Sequence, residues 1–211
     1  MAAFLTPFPR FYPVLPSLDW IERLAPLGIK VVQLRLKEAS EAEIKRQISQ
    51  ALEVCAAYNV QLIVNDYWQF ALELGADYVH LGQEDLAAAD LQALKAGGLK
   101  LGVSTHSEDE LAIALMAEPD YVALGPIYET VLKKMSWAPQ GLAKLSVWRQ
   151  QISVPLIAIG GLNFERAQLA LEAGADSAAV VTDIVTATDP EAQVREWVQR
   201  FESPQPLAPS A

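Results

Sequence analysis

The hydrophobic positions of this chain follow two alternating periods. Short, nearly continuous apolar runs occupy 11–15, 31–36, 61–64, 78–81, 100–103, 121–124, 155–159 and 178–181. Apolar runs without polar alternation are what parallel strands covered on both faces require. Longer stretches with helical spacing lie between them. In 40–58, the residues Ile44, Ile48, Ala51, Leu52 and Cys55 share one face. Ser40, with Glu43 three residues on, forms a capping box and predicts a helix over 40–58. Ser107 and Asn163 open helices predicted over 107–116 and 163–173. Asp85 reads either as the N-cap of a helical run reaching Ala96 or as a functional carboxylate. Cys55, Trp20, Trp68 and Trp197 read as packing groups, whereas Trp137 in the loop 125–141 either covers a site or is simply exposed.

One segment recurs. Leu74-Gly75-Ala76-Asp77-Tyr78-Val79-His80-Leu81-Gly82 returns as Glu118-Pro119-Asp120-Tyr121-Val122-Ala123-Leu124-Gly125, and in part as Ala173-Gly174-Ala175-Asp176. Each copy reads as a helix stop followed by a buried strand. Eight such strands alternating with helices predict a (β/α)8 barrel; a doubly wound open sheet is the alternative. The expected organisation is a single barrel over 1–201 and a flexible tail over 202–211 carrying three prolines.

Composition narrows the possible functions. The 211 residues are 52% hydrophobic and 20% charged, which supports a real core and excludes a disordered chain. Sixteen basic against 26 acidic residues give a net charge of −10, which speaks against broad nucleic-acid binding. No apolar run approaches the roughly 18–20 residues of a membrane span. The one cysteine cannot form an internal disulfide, and residues 1–9 lack a basic start and carry Pro7 and Pro9. A cytoplasmic location is therefore expected.

A parallel barrel presents its site at the C-terminal ends of its strands. Gln33, Arg35 and Lys37 follow the second run and alternate, so they point to one side. Asn65 and Asp66 follow the third; His80, Gly82, Gln83 and Asp85 the fourth; Ser104 and His106 the fifth. Thr130, Lys133 and Lys134 lie in the loop after the sixth, Gly160 and Gly161 follow the seventh, and Thr182 the eighth. Cations beside glycine turns describe an anion site, most often for phosphate. Asp66 and Asp85 suit Mg²⁺ bridging protein carboxylates to phosphate oxygens. A Ser104–His106–Asp109 triad can be drawn, but Ser104 lacks a nucleophile-elbow context.

Several motifs resemble the thiamine phosphate synthase family. They are Gln33-Leu34-Arg35-Leu36-Lys37, Asn65-Asp66-Tyr67-Trp68, Val79-His80-Leu81-Gly82-Gln83-Glu84-Asp85-Leu86 and Leu101-Gly102-Val103-Ser104-Thr105-His106. Leu124-Gly125-Pro126-Ile127-Tyr128, Ala138-Pro139-Gln140-Gly141 and Ile157-Ala158-Ile159-Gly160-Gly161-Leu162 extend the likeness over about residues 11–200. The resemblance implies a Mg²⁺-dependent transferase that joins a hydroxymethylpyrimidine diphosphate to a hydroxyethylthiazole phosphate. It implies that Gln33, Arg35, Lys37, Asn65, Ser104 and Lys133 hold the diphosphate substrate, with Arg35, Lys37, Ser104 and Lys133 catalytic. Asp66 and Asp85 would bind Mg²⁺. Thr130, Gly161, Val181 and Thr182 would hold the thiazole phosphate, and Tyr12 and His80 would line the pyrimidine end.

The chain departs from the family pattern at the thiazole end. Glu129-Thr130-Val131-Leu132-Lys133 stands where the family has Pro-Thr-x-Thr/Ser-Lys, so Leu132 lacks a hydroxyl whose bond to a charged group is worth roughly 1.5–3 kcal/mol. Val181-Thr182-Asp183-Ile184 stands where the family has Val-Ser-Ala-Ile, and Asp183 is expected to bring a carboxylate near the phosphate. The alternatives are a synthase for a modified thiazole, a thiazole tautomerase or a non-catalytic pyrimidine-phosphate binder. The tautomerase paralogue has a histidine at the position of Pro126, and proline transfers no proton.

Overall fold

A computed structural model describes residues 7–37, 39–130 and 137–202. Eight parallel strands close into a barrel in sequential order. They are β1 (Phe11–Leu15), β2 (Val31–Leu34), β3 (Gln61–Asn65), β4 (Tyr78–Leu81), β5 (Lys100–Thr105), β6 (Tyr121–Leu124), β7 (Leu156–Ile159) and β8 (Ser177–Val180). Closure is by β1 against β8, with Phe11 opposite Ala178. The outer layer comprises α1 (Leu18–Leu24), α2 (Glu41–Ala57), α3 (Trp68–Glu73), α4 (Gln83–Ala88), α5 (Leu91–Ala96), α6 (Glu108–Met116), α7 (Gly141–Gln151), α8 (Phe164–Glu172), α9 (Thr182–Val185) and α10 (Pro190–Phe201). The open-sheet alternative is excluded by the closed order of strands. Among the described residues, no helix is long and apolar enough to cross a membrane.

Strand alternation sorts the side chains into two cores. Residues such as Leu34, Val64, Val79, Val103, Val122 and Ala158 point outward into one continuous layer under the helices. Residues of the opposite parity fill the barrel. Phe8, Tyr12, Val31, Ile63, Tyr78, Tyr121 and Ile157 form this inner cluster. Phe8 precedes β1 and packs on Tyr12 and Tyr121 at ring separations of 5.6 and 5.2 Å, so aromatic groups close the barrel below its mouth.

Caps behave as their chemistry demands. Ser40, Ser107 and Asn163 accept backbone N–H groups of the first turns of α2, α6 and α8. The run read as reaching from Asp85 to Ala96 is instead two short helices. Gly82 is the N-cap of α4, Asp85 lies inside its first turn, and Asp90 breaks the run by capping α5 through Ala93 N–H. Glu202, expected to begin a flexible tail, is tied to the barrel: its carboxylate accepts Phe11 N–H at 2.8 Å.

Candidate active site

The inner parity places Gln33, Asn65, His80 and Ser104 above the aromatic plug, on four successive strands. Parallel register sets Asn65 beside His80 and His80 beside Gly102. Buried polar groups need partners, and these find one another. Gln33 Nε2 donates to Tyr12 Oη at 2.8 Å. Tyr12 Oη lies 3.0 Å from Tyr121 Oη, which lies 2.9 Å from His80 Nδ1. His80 Nε2 lies 2.7 Å from Ser104 Oγ. Gln83 Nε2 donates to Ser104 O at 2.7 Å, fixing that strand end to the start of α4.

Burial raises both tyrosine hydroxyls above their ordinary range, so they stay protonated. Burial, aided by the charge of Arg35, pushes His80 down to about 4, so its ring is neutral at physiological pH. The Ser104–His106–Asp109 arrangement does not form. His106 Nδ1 lies 2.7 Å from Glu110 Oε2, and Trp137 stacks on the His106 ring at 5.6 Å. Ser104 meets His80 instead, whose other nitrogen faces a tyrosine rather than a carboxylate.

The second group surrounds the ends of β3 and β4. Asp66 follows β3 with φ 65°, a left-handed conformation that costs a non-glycine residue about 1–2 kcal/mol. Asp66 N–H donates to His80 O at 2.9 Å, which holds it in place. Its carboxyl is hydrogen-bonded to Asp85 and pushed up to about 6. Burial is the largest cause and the Asp85 charge the next; Arg35 and a bond from Asn65 oppose them. Two carboxyl groups close enough to perturb each other, with a guanidinium nearby, are the groups here that could hold a divalent cation. Among the described residues, no cluster of three or more His, Cys, Asp or Glu is built for a metal.

The third group follows β6, β7 and β8. Ile127 and Tyr128 N–H donate to Ile159 O and Gly160 O at 2.9 and 3.1 Å, zipping the β6 loop to the β7 turn. Gly161 sits at φ 67°, and a Cβ there would lie 2.4 Å from Glu129 O, so only glycine fits. Ile159 pairs with Ala179, so the Gly160–Gly161 turn after β7 and the Val181–Thr182 start of α9 follow neighbouring strand ends. Thr130 is half-buried on the β6 loop. Asp183 is a correction: its Oδ2 accepts Gln193 Nε2 at 2.6 Å and Trp197 Nε1 at 2.8 Å, so the carboxylate is turned to α10 and already spent.

Lys37 is exposed beyond β2, which ends at Leu34 rather than at residue 36. Lys133 and Leu132 lie outside the described residues. Two functional candidates escaped the sequence reading. Tyr121 looked like the apolar start of a strand, though its parity with Ala123 and its place opposite Gly102 mark it as inward-facing. Arg166, on α8, donates from Nη1 to Gly161 O at 2.7 Å and lies 4.7 Å over the Tyr128 ring; nothing in its spacing announces this.

Eight parallel strands closed into a (β/α)8 barrel, with polar side chains gathered over a buried hydroxyl chain, define the class of fold and site. The thiamine monophosphate synthase family model matches residues 12–184. The chain is 57% identical over 189 residues to the thiamine-phosphate synthase of Rhizobium etli, covering 89% of this chain and 93% of that protein. It is 45% identical over 179 residues to that of Salmonella typhimurium, covering 84% and 85%. Thiamine phosphate pyrophosphorylase from Pyrococcus furiosus superposes with a TM-score of 0.79 at 27% identity, over 92% of this chain and 95% of that one. A 3-hexulose-6-phosphate synthase, at 18% identity and a TM-score of 0.65 over 91% of this chain and 99% of that one, shares the fold alone. The chain belongs to the thiamine monophosphate synthase family.

Proposed function

We propose that the chain joins a hydroxymethylpyrimidine diphosphate to a hydroxyethylthiazole phosphate, giving thiamine phosphate and pyrophosphate. The observation that carries this reading is the Asp66–Asp85 pair beside Arg35, next to the hydroxyl chain ending at Ser104. The bond between the pyrimidine methylene carbon and the diphosphate oxygen breaks, and the electron pair leaves with the oxygen. The aminopyrimidine ring delocalises the positive charge left behind. The thiazole nitrogen then donates its lone pair to form the new C–N bond, and the positive charge passes to the thiazolium.

No proton changes hands in these steps, so no general base is required. A neutral His80 and two protonated tyrosines suit that chemistry. The barrier lies in the charge that builds on the departing diphosphate. Arg35, Lys37 and Lys133 are the cations assigned to it, with Asn65 and Ser104 as polar partners. Tyr12, Gln33 and His80 line the pyrimidine end. Thr130, Val181, Thr182 and the backbone at Gly161 hold the thiazole phosphate, so catalysis is mainly positioning plus electrostatics.

A magnesium ion fits the donor set. Mg²⁺ keeps several waters and takes one or two carboxylates plus substrate phosphate oxygens, and Asp66 and Asp85 are two carboxylates already brought together. When bound, it neutralises negative charge on the diphosphate. The side chain of Pro126 carries no group able to move a proton, which disfavours tautomerase chemistry.

The test is an assay with both substrates and Mg²⁺ that measures thiamine phosphate. Turnover is expected, and Asp66→Ala should lower kcat on the order of a hundredfold or more. Wild-type protein that binds the diphosphate but makes no product sinks the reading and leaves a non-catalytic binder.

A further inference from the structure

The buried hydroxyl chain has a direction, and hydrogen counting supplies it. Each tyrosine hydroxyl has one hydrogen to give, and a neutral imidazole has one donor and one acceptor nitrogen. Gln33 Nε2 is a donor, so Tyr12 Oη accepts from it. The hydrogen of Tyr12 then goes to Tyr121 Oη, and that of Tyr121 goes to His80 Nδ1. His80 must therefore carry its proton on Nε2 and donate it to Ser104 Oγ. The opposite direction makes Tyr12 accept twice and leaves its own hydrogen without an acceptor inside a barrel where it is 1% exposed. Buried polar groups are rarely left so.

We propose that Tyr121 is a positioning residue that fixes the Nε2–H tautomer of His80 and so turns the Ser104 hydroxyl into a donor aimed at the substrate. With its oxygen occupied by His80, Ser104 keeps its own hydrogen to give, and among the described residues its side chain has no second partner. The recipient is an acceptor atom of the pyrimidine diphosphate, so this step rests on the proposed function. Tyr121 itself is fully buried, and its hydroxyl meets Tyr12 and His80 while its ring packs on Phe8. Its ring stacks on His80 at 5.6 Å with the planes 22° apart, which keeps Nδ1 in line with the hydroxyl.

The experiment exploits the fact that the chain has two histidines. Side-chain ¹⁵N NMR of the substrate-free protein, with a His106→Gln variant to assign the signals, reads the His80 tautomer directly. The wild type is expected to show Nε2–H. Tyr12→Phe should keep that tautomer, because Tyr121 still donates to Nδ1. Tyr121→Phe, which preserves the ring packing, leaves Nδ1 without its donor and offers Nδ1–H no acceptor, so His80 should lose its single tautomer and show a mixture of both. It should also lower kcat by about twofold to fivefold, because Ser104 is then held as a donor toward the substrate in only part of the population. The KM for thiazole phosphate should stay unchanged. A wild-type Nδ1–H tautomer overturns the proposal, as does a Tyr121→Phe enzyme with the wild-type tautomer or wild-type kcat. The tautomer is read without turnover, so a wild-type chain that makes no thiamine phosphate counts against the functional reading alone.

Discussion

A Cβ atom at position 102 would meet the Tyr121 ring at 2.0 Å, so the glycine on β5 is the space that lets this tyrosine turn into the barrel. The neighbouring atoms are a ring packed on all sides rather than the free end of a flexible chain. Gly102→Ala is therefore expected to destabilise the protein by about 1–3 kcal/mol through overpacking. Urea unfolding measures this, and a variant with an unchanged midpoint would show that the ring has room to move. The same pair explains what sequence reading found and missed at this scale. Gln33, Asn65, His80 and Ser104 were legible because polar residues at the ends of apolar runs stand out. Tyr121 was hidden because a tyrosine opening a buried strand looks like ordinary packing, and its hydroxyl matters only through partners on β1 and β4. Asp183 was misjudged for the same reason: Trp197, which claims its oxygen, is 14 residues away.

At the scale of elements, α8 does more than cover β7. Its first turn carries Arg166, whose guanidinium holds Gly161 O and covers the Tyr128 ring, clamping the turn after β7 to the loop after β6. If the thiazole phosphate rests on that turn, Arg166→Ala should raise its KM by about threefold to tenfold, the size of one partly exposed charge-assisted bond. The KM for the pyrimidine diphosphate should stay within twofold. A change in the second constant but not the first would place the phosphate elsewhere. Most elements were readable from period and caps alone, since Ser40, Ser107 and Asn163 do locally what their side chains favour. The break between α4 and α5 was not, because helical spacing continues through it, and Asp90 wins by capping from within the run. The shortening of β2 has a related cause. Past Leu34 the chain is no longer paired on both sides, although its alternation persists through Arg35.

At the scale of the whole molecule, the net charge of −10 gives little guide to ligands, because the groups at the mouth set their own field. The barrel seam offers a sharper test. Burial holds the Glu202 carboxyl above its ordinary range, against the Phe11 N–H, Lys30 and Arg10, which pull the other way. A folded state that holds this proton more tightly than the unfolded one gains stability from the group as pH falls and loses it as pH rises through the folded value. Glu202→Gln keeps an acceptor for Phe11 and removes the charge. It should be more stable than wild type at pH 7, by up to roughly 1 kcal/mol, with the gap closing toward pH 4. A gap that stays constant across that range would mean that ionisation of Glu202 costs the fold nothing.

That seam also imposes an order of events on the newborn chain. Phe11 and Glu202 are 191 residues apart, and β1 pairs with the last strand as well as with the second. At synthesis rates of about 5–20 residues per second, the first strand waits roughly 8–33 seconds on the ribosome before its second neighbour, β8, exists. Throughout that interval one edge of β1 and its aromatic face have no native cover, and such edges invite pairing with other chains. The hydroxyl relay spans β1, β2, β4, β5 and β6, so it too is incomplete until β6 has emerged. The period of greatest aggregation risk therefore ends only when the last strand and the helix behind it arrive to close the ring.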